Sequence, residues 1–152
     1  MKIQISPIKI IKDALVVWNQ PGPEVDIVMD PKNITFRENS IEEIYTFHVL
    51  DKFFPQEVNP ALANWRKCLI NCGKLFVIVD NFEYLARLFV GGDITIDLFN
   101  EGFAHPTNFN KDSLTLFLYK AGFSEGSMRI WFEHPEFKIE QYELVISAEK
   151  NE

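Results

Sequence analysis

The sequence predicts an α/β fold with a mostly parallel twisted sheet, helices on both faces and an antiparallel hairpin at the C-terminus. Short segments rich in β-branched residues come first, and segments with helical spacing follow them along the chain. The last two segments alternate strongly between apolar and polar residues. An apolar share of 47% in 152 residues is enough for the core of one domain, which we place at residues 1–152.

Five segments are predicted to be strands. The run Ala14-Leu15-Val16-Val17-Trp18 is continuously apolar, which is typical of parallel strands covered on both faces. The turn residues Pro21-Gly22-Pro23 separate it from the next strand. The other predicted strands are residues 2–6, 25–29, 42–48 and 74–79.

Three helices have recognisable ends. Asn59 is predicted to cap the first, with Pro60 at the first helical position and Gly73 as a left-handed stop. The second covers Phe82 to Val90. The third is capped by Asn110 and stops at Gly122. A helical turn is predicted at residues 96–99, and the closing hairpin at residues 127–133 and 139–149.

Composition and charge exclude several function classes. The net charge is −7, and no Lys/Arg cluster of the kind that binds nucleic acid is present. No apolar run approaches the roughly 20 residues that span a bilayer. We therefore expect no nucleic-acid partner, no membrane association and a cytoplasmic location.

Two further features concern metal binding and assembly. Cys68 and Cys72 fit reduced thiols, and no His or carboxylate with matching local spacing completes a metal site with them, so no metal is expected. Phe53-Phe54 and Leu88-Phe89-Val90 are candidates for the contact surface of a homo-oligomer, although burial in the core explains them equally well.

From Pro21 to Phe123, about two-thirds of the chain, the sequence resembles the class I S-adenosylmethionine (SAM)-dependent methyltransferases, specifically the short ones often found near polysaccharide glycosyltransferases. In the expected order it contains an aspartate that ends the third strand, followed by counterparts of the family's later motifs. The matching segments are residues 25–30, 34–45, 47–53, 61–69, 71–75 and 118–123.

The resemblance implies a Rossmann-like sheet, with SAM lying across the carboxyl ends of the strands. Ser6-Pro7-Ile8 occupies the place of the family's glycine-rich turn, and the first glycine of the chain is Gly22. The acid that binds the ribose is expected near Trp18 or Asn19, where no carboxylate is present. The implied cofactor-binding residues are Ser6, Asn19, Asp30, Asn33 and Phe47. Asp30 alone matches a family anchor, the carboxylate that accepts from the adenine amine. Structural roles stay open for two of these residues, since Asp30-Pro31 is also typical of the start of a turn and Phe47 can pack in the core.

His48 and His105 are the candidate catalytic residues. The resemblance places His48 near the transferred methyl group and His105 in the irregular region that often forms the acceptor-side lid. Histidine is the natural general base near neutral pH. A purely structural role is also open for both residues. His48 could bond a backbone carbonyl at the end of its strand, and His105 could be a loop histidine next to Pro106.

Two functional hypotheses follow. The first is a trimmed SAM-dependent methyltransferase that acts on a small-molecule or carbohydrate acceptor. The second is a non-catalytic domain of the same fold that has lost the cofactor and serves as a binding or assembly partner. A nicotinamide dehydrogenase is a weaker third interpretation, because it also needs a glycine-rich turn and does not account for the terminal hairpin.

Overall fold

A computed structural model describes residues 1–151, so Glu152, the last residue of the predicted domain, lies outside the described part. One seven-stranded sheet has the strand order β3-β2-β1-β4-β5-β7-β6. Its strands are β1 (Lys2–Ile5), β2 (Leu15–Trp18), β3 (Ile27–Val28), β4 (Ile41–Phe47), β5 (Leu69–Asp80), β6 (Arg129–Trp131) and β7 (Glu143–Glu149). The helices are α1 (Pro55–Cys68), α2 (Phe82–Val90), α3 (Ile96–Gly102) and α4 (Lys111–Lys120).

The predicted sheet is confirmed. Strands β1 to β5 pair in parallel. Strand β7 then lies antiparallel to β5, with Ile78 opposite Val145, and β6 pairs antiparallel with β7. The two C-terminal strands are shorter than the alternating segments that predict them.

Side chains that alternate along the strands divide the core into two clusters. Leu75, Val77 and Val79 join the cluster that contains the buried residues of α1 and α4. Phe76 and Ile78 point to the other face, and no residue of that second cluster belongs to a helix in the described part of the chain. Instead, Ile11 and Ala14 from the β1–β2 connection and Phe137 from the β6–β7 connection cover it.

Helix α1 begins five residues earlier than predicted, at Pro55 rather than Pro60. Pro55 occupies the first turn, where a missing amide hydrogen costs nothing. The side chain of Glu57 accepts the backbone N–H of Phe54 at 2.9 Å. The prediction that Asn59 caps the helix is therefore wrong. Asn59 lies inside α1 and donates through Nδ2 to the carbonyl of Phe117 in α4, at 2.8 Å.

The prediction that Gly73 provides a left-handed stop is also wrong. The helix ends at Cys68 and β5 follows directly, while the positive φ of 64° belongs to Cys72. Gly73 is required for space, since an added Cβ would lie 2.9 Å from the carbonyl oxygen of Ile70 and 3.1 Å from that of Glu42.

The remaining helices agree with the sequence analysis. Helix α2 has the predicted bounds, and the helical turn predicted at residues 96–99 extends to Gly102. Asn110 caps α4 by accepting the N–H of Ser113 at 2.8 Å, and Gly122 ends it with a φ of 107°. None of the described helices combines the length and the apolar character needed to cross a bilayer.

Candidate functional site

A cleft lies where β2, β3 and β4 end. Its volume is about 260 Å³, and its lining includes two of the residues predicted to bind cofactor, Asn19 and Asp30. The carboxylate of Asp30 accepts the backbone N–H of Lys32 at 2.9 Å, so it also holds the turn that it begins. The other lining residues are Trp18, Pro31, Lys32, Val49, Lys52 and Phe53.

Two lysines give this cleft a partly cationic wall. Lys52 Nζ lies 5.9 Å from the centre of the Trp18 ring, within the range of a cation–π contact. Lys32 pairs with Glu57 at 2.6 Å, and this ion pair lowers the pKa of the Glu57 carboxyl. An aromatic ring, a carboxylate and an ammonium group therefore converge on a space of nucleoside size.

The turn after β1 is closed by a buried glutamine. Gln4 is fully buried, and its Oε1 accepts the backbone N–H groups of Ile10 and Ile11 at 2.9 and 2.7 Å. Its Nε2 donates to the hydroxyl of Ser6 and to the carbonyl of Ile8. Ser6, a predicted cofactor residue, is 1% exposed and points into this network rather than into the cleft.

The neighbouring amide of the same turn is also engaged. Glu24, from the β2–β3 connection, accepts the backbone N–H of Lys9. Three successive amides, those of residues 9–11, thus donate to side chains of the protein. In a glycine-rich turn such groups face the ligand, so the bulky turn differs in hydrogen bonding as well as in shape.

Asn33 and Phe47 lie outside the cleft lining. Asn33 is exposed on the Asp30 turn, and its side chain accepts from Asn64 at 3.3 Å. Phe47 belongs to the second core cluster, where it packs edge-on against Phe137 with ring centres 5.1 Å apart.

Next to the cleft, the two candidate catalytic histidines share one cluster with three carboxylates. His48 follows β4, Asp80 ends β5 and Glu143 begins β7, so strand order alone brings them together. Asp51 follows on the short segment 48–53, and His105 comes from the loop before α4. Segment 48–53 serves both sites, because its Val49, Lys52 and Phe53 line the cleft.

The cluster is tightly connected. His48 Nε2 lies 2.5 Å from Glu143 Oε2, and His105 Nε2 lies 2.6 Å from Asp80 Oδ2. His48 Nδ1 faces Asp80 Oδ1 at 3.5 Å and Asp51 Oδ2 at 3.8 Å. The backbone of His48 has a φ of 53°, a left-handed conformation that is costly for a residue other than glycine and is concentrated at functional sites.

These carboxylates set the charge state of the histidines. Burial alone lowers the pKa of His48, but Asp51, Glu143 and Asp80 together raise it to about 10. The hydrogen bond to Asp80 likewise raises the pKa of His105, against the opposing effect of burial. In the metal-free protein His48 is therefore an imidazolium at neutral pH, which donates hydrogen bonds and takes up no proton.

Asp51 is the least satisfied member of the cluster. Its side chain is 1% exposed, and neither carboxylate oxygen accepts a hydrogen bond from any residue between 1 and 151. The nearest donors on the two histidines are 3.5 Å and 3.8 Å from its Oδ2. The imidazolium of His48 therefore compensates the buried Asp51 carboxylate only from 3.8 Å, without a hydrogen bond.

The structure thus brings His48 and His105 together and places Asn19 and Asp30 in the adjoining cleft. Sequence reasoning missed Asp51, Asp80 and Glu143 as members of the cluster. One signal was available for Asp80, a carboxylate directly after the apolar run that ends in Val79. Nothing local indicates Glu143, which reaches the cluster only because β7 reverses direction.

No protein-family model and no curated protein sequence matches the chain. Solved structures do. A SAM-dependent methyltransferase of Thermotoga maritima, described as a possible histamine N-methyltransferase, has a TM-score of 0.67 and 17% identity, over 99% of this chain and 82% of the other. The 1,6-didemethyltoxoflavin-N1-methyltransferase of Burkholderia thailandensis, with bound 1,6-didemethyltoxoflavin and S-adenosylhomocysteine, has a TM-score of 0.64 and 14% identity. The match covers 99% of this chain and 71% of the other.

The CurJ carbon methyltransferase is also similar, with a TM-score of 0.61 and 13% identity. This chain is covered over 99% of its length but spans only 48% of CurJ. At these identities the likeness concerns architecture. The chain has the fold of the class I SAM-dependent methyltransferases.

Proposed function

We propose that this chain is a SAM-dependent methyltransferase of trimmed form, which methylates a small-molecule or carbohydrate acceptor. It would hold the cofactor mainly by its adenosine half. The observation that carries the proposal is the cleft at the ends of β2, β3 and β4, with Asn19 and Asp30 in its lining. In open α/β sheets, ligands bind outside the carboxyl ends of the strands.

The fit to SAM is partial. A cleft of about 260 Å³ lies just below the 300–1,000 Å³ typical of small-molecule pockets, so it suits a nucleoside better than the whole cofactor. Asp30 can accept from an adenine amine, and Asn19 can bond the ribose without the charge of the usual acid. The amides of residues 9–11 are engaged elsewhere, so we expect weak binding.

The cofactor would supply the methyl group, and the His48–His105 cluster would form the acceptor side. Segment 48–53 contributes to both sites, which supports this arrangement. Glu143 and Asp80 hold the rings of His48 and His105 in place at 2.5 and 2.6 Å, so we assign both histidines to orienting the acceptor. Where the acceptor must lose a proton, we assign its removal to one of the carboxylates of the cluster.

Calorimetric titration with SAM, S-adenosylhomocysteine and adenosine tests the proposal. All three should bind, and a hundredfold excess over the dissociation constant should stabilise the fold by roughly 2.7 kcal/mol. Asp30→Ala should abolish the heat, whereas Asp97→Ala, on α3, should leave it unchanged. Adenosine binding without SAM binding would contradict methyl transfer, and no heat with any of them would exclude the cleft as a nucleoside site.

A second function is favoured by the closed turn after β1. A domain that no longer binds SAM has no use for free amides there, and Gln4 and Glu24 occupy them. Such a domain would act as a binding or assembly partner. Co-purification of a stable complex from the source cells, together with no response to SAM, is the outcome expected from this alternative.

The proposed setting is the cytoplasm, where both cysteines would persist as the free thiols seen here. Of the residues predicted for a homo-oligomer contact, Phe53 is buried and Leu88 is partly buried, whereas Phe54, Phe89 and Val90 are exposed. We propose that the exposed pair Phe89 and Val90, at the end of α2, forms the contact of a homo-oligomer. Sedimentation velocity over a range of concentrations, with Val90→Glu as the disrupting variant, tests the assignment.

A further inference from the structure

We propose that the cluster between β4 and β5 binds one divalent transition-metal ion, with His48 Nδ1 and the carboxylates of Asp51 and Asp80 as ligands. One ligand atom from each of these residues lies within 4.8 Å of the other two. This inference goes beyond methyl transfer and does not depend on SAM binding.

The spacing of the donor atoms fits a tetrahedral ion. Bonds of about 2.0–2.2 Å to nitrogen and oxygen place neighbouring ligands roughly 3.3–3.6 Å apart. His48 Nδ1 is 3.5 Å from Asp80 Oδ1 and 3.8 Å from Asp51 Oδ2. All three donor atoms lie within 4.8 Å of one another, so a modest rearrangement of the carboxylates would bring them around one ion.

Asp51 supplies the second, independent argument. Its carboxylate is buried, has no hydrogen-bond partner among residues 1–151 and faces the other donors. The two histidine rings face this carboxylate only at 3.5 and 3.8 Å and form no hydrogen bond with it, so a directly bound cation would stabilise the buried Asp51 better. A metal ion bound between His48 and Asp80 would do so directly.

The surrounding residues hold the ligands in the orientation that a metal needs. Metal-binding histidines commonly donate their other ring N–H to a carboxylate, which fixes the tautomer and leaves the first nitrogen free to coordinate. His48 Nε2 has this partner in Glu143, at 2.5 Å. His105 donates to Asp80 Oδ2 at 2.6 Å, which leaves Oδ1 for the ion.

The donor set indicates the class of ion. One imidazole and two carboxylates suit Zn²⁺, Fe²⁺, Co²⁺ or Mn²⁺ better than Ca²⁺ or Mg²⁺, which prefer oxygen ligands alone. Three protein ligands leave a fourth position open, as in catalytic zinc sites. The His48 side chain is 32% exposed, so solvent or an acceptor oxygen can reach this side of the cluster.

The test uses the full chain, stripped with chelator and dialysed against Zn²⁺ or Co²⁺. We expect one ion per chain by elemental analysis and a rise in the melting temperature. Co²⁺ should add the intense visible absorption of a four-coordinate site. Mg²⁺ at the same concentration should neither bind stoichiometrically nor raise the melting temperature.

Two variants and one control test where the ion binds. Asp51→Asn, which keeps the side-chain shape, should lose Co²⁺ binding, and Glu143→Gln should weaken it by about 10–100-fold through His48. His134→Gln is the matched control, because His134 packs among aromatic rings away from the cluster. Circular dichroism of each variant verifies that it is folded.

Two outcomes would overturn the proposal. One is the absence of stoichiometric Zn²⁺ or Co²⁺ in the folded wild-type chain. The other is an unchanged Co²⁺ spectrum in folded Asp51→Asn or Glu143→Gln. Neither result bears on nucleoside binding in the cleft, which calorimetry measures separately.

Discussion

A single glutamine organises the turn that replaces the glycine-rich loop. Gln4 uses both ends of its amide, accepting two backbone N–H groups and donating to Ser6 and Ile8. Gln4 itself is fully buried, so its amide makes these bonds inside the protein. The residue therefore satisfies the polar groups of a turn that contains no glycine.

Gln4→Leu should destabilise the fold by about 3 kcal/mol, because the amides of Ile10 and Ile11 lose their acceptor inside the protein. Urea denaturation measures the change in the free energy of unfolding. Gln56→Leu, at an exposed position on α1, is the matched control and should change stability by less than about 0.5 kcal/mol. Equal effects of the two substitutions would show that the hydrogen bonds of Gln4 contribute nothing to the free energy of unfolding.

Substitutions at the adjacent residues Cys72 and Gly73 should change the stability of the fold in opposite directions. Cys72→Gly removes the strain of a left-handed conformation, and after the added flexibility of the unfolded chain it should stabilise by about 0.5–1 kcal/mol. Gly73→Ala should destabilise, because the new methyl group meets three backbone oxygens within 3.2 Å. Urea midpoints of both variants measure these changes, and a stabilising Gly73→Ala would contradict the close backbone packing described at Gly73.

At the scale of elements, the two side-chain caps differ in what they support. Asn110 caps α4, whose Leu114 and Leu118 are fully buried in the core. Thr95 caps α3, which buries none of its residues. The same kind of hydrogen bond thus stabilises a core helix in one case and a peripheral one in the other.

Asn110→Ala should lower the free energy of unfolding by about 1 kcal/mol, the usual cost of a lost cap. Thr95→Ala should leave global unfolding almost unchanged, since α3 can fray without opening the core. Thermal denaturation followed by circular dichroism compares the two. A larger effect at Thr95 would mean that α3 unfolds together with the sheet.

The sequence is informative where signals are local. Asn110 and Gly122 mark both ends of α4 correctly, because each end is decided within a few residues. The start of α1 was misplaced because Asn59-Pro60 imitates a helix start, while Pro55 and Glu57 provide the actual one. At the site, the sequence singles out His48 and His105, which lie in one cluster, and their catalytic role stays a prediction. The position of Glu143 depends on β7 running antiparallel beside β5, which no nearby residue encodes.

At the scale of the whole molecule, stability is distributed unevenly. Strands β1, β4 and β5 contain runs of fully buried residues, whereas α2 buries only Leu85 and α3 buries none. Local opening should therefore begin in the α2–α3 region. This region comes directly after Asp80, so its opening also changes access to the histidine cluster.

Amide hydrogen exchange should reveal this difference. Residues 82–103 should exchange much faster than β4 and β5 under native conditions, because few apolar contacts hold them. Addition of Zn²⁺ should slow exchange at residues 48–51 and 80 if the proposed metal site is correct. Uniform protection across α2, α3 and the sheet would show that the helices are part of one cooperative unit.

The strands at the two borders of the sheet are its shortest, with two residues in β3 and three in β6. Each border strand therefore has few unpaired main-chain N–H and C=O groups with which an extended segment of another molecule could pair. Short borders of this kind discourage uncontrolled growth of a sheet from one molecule to the next. A protein rich in aromatic residues thereby limits fibril-like association through its backbone, and any specific assembly must use side chains instead.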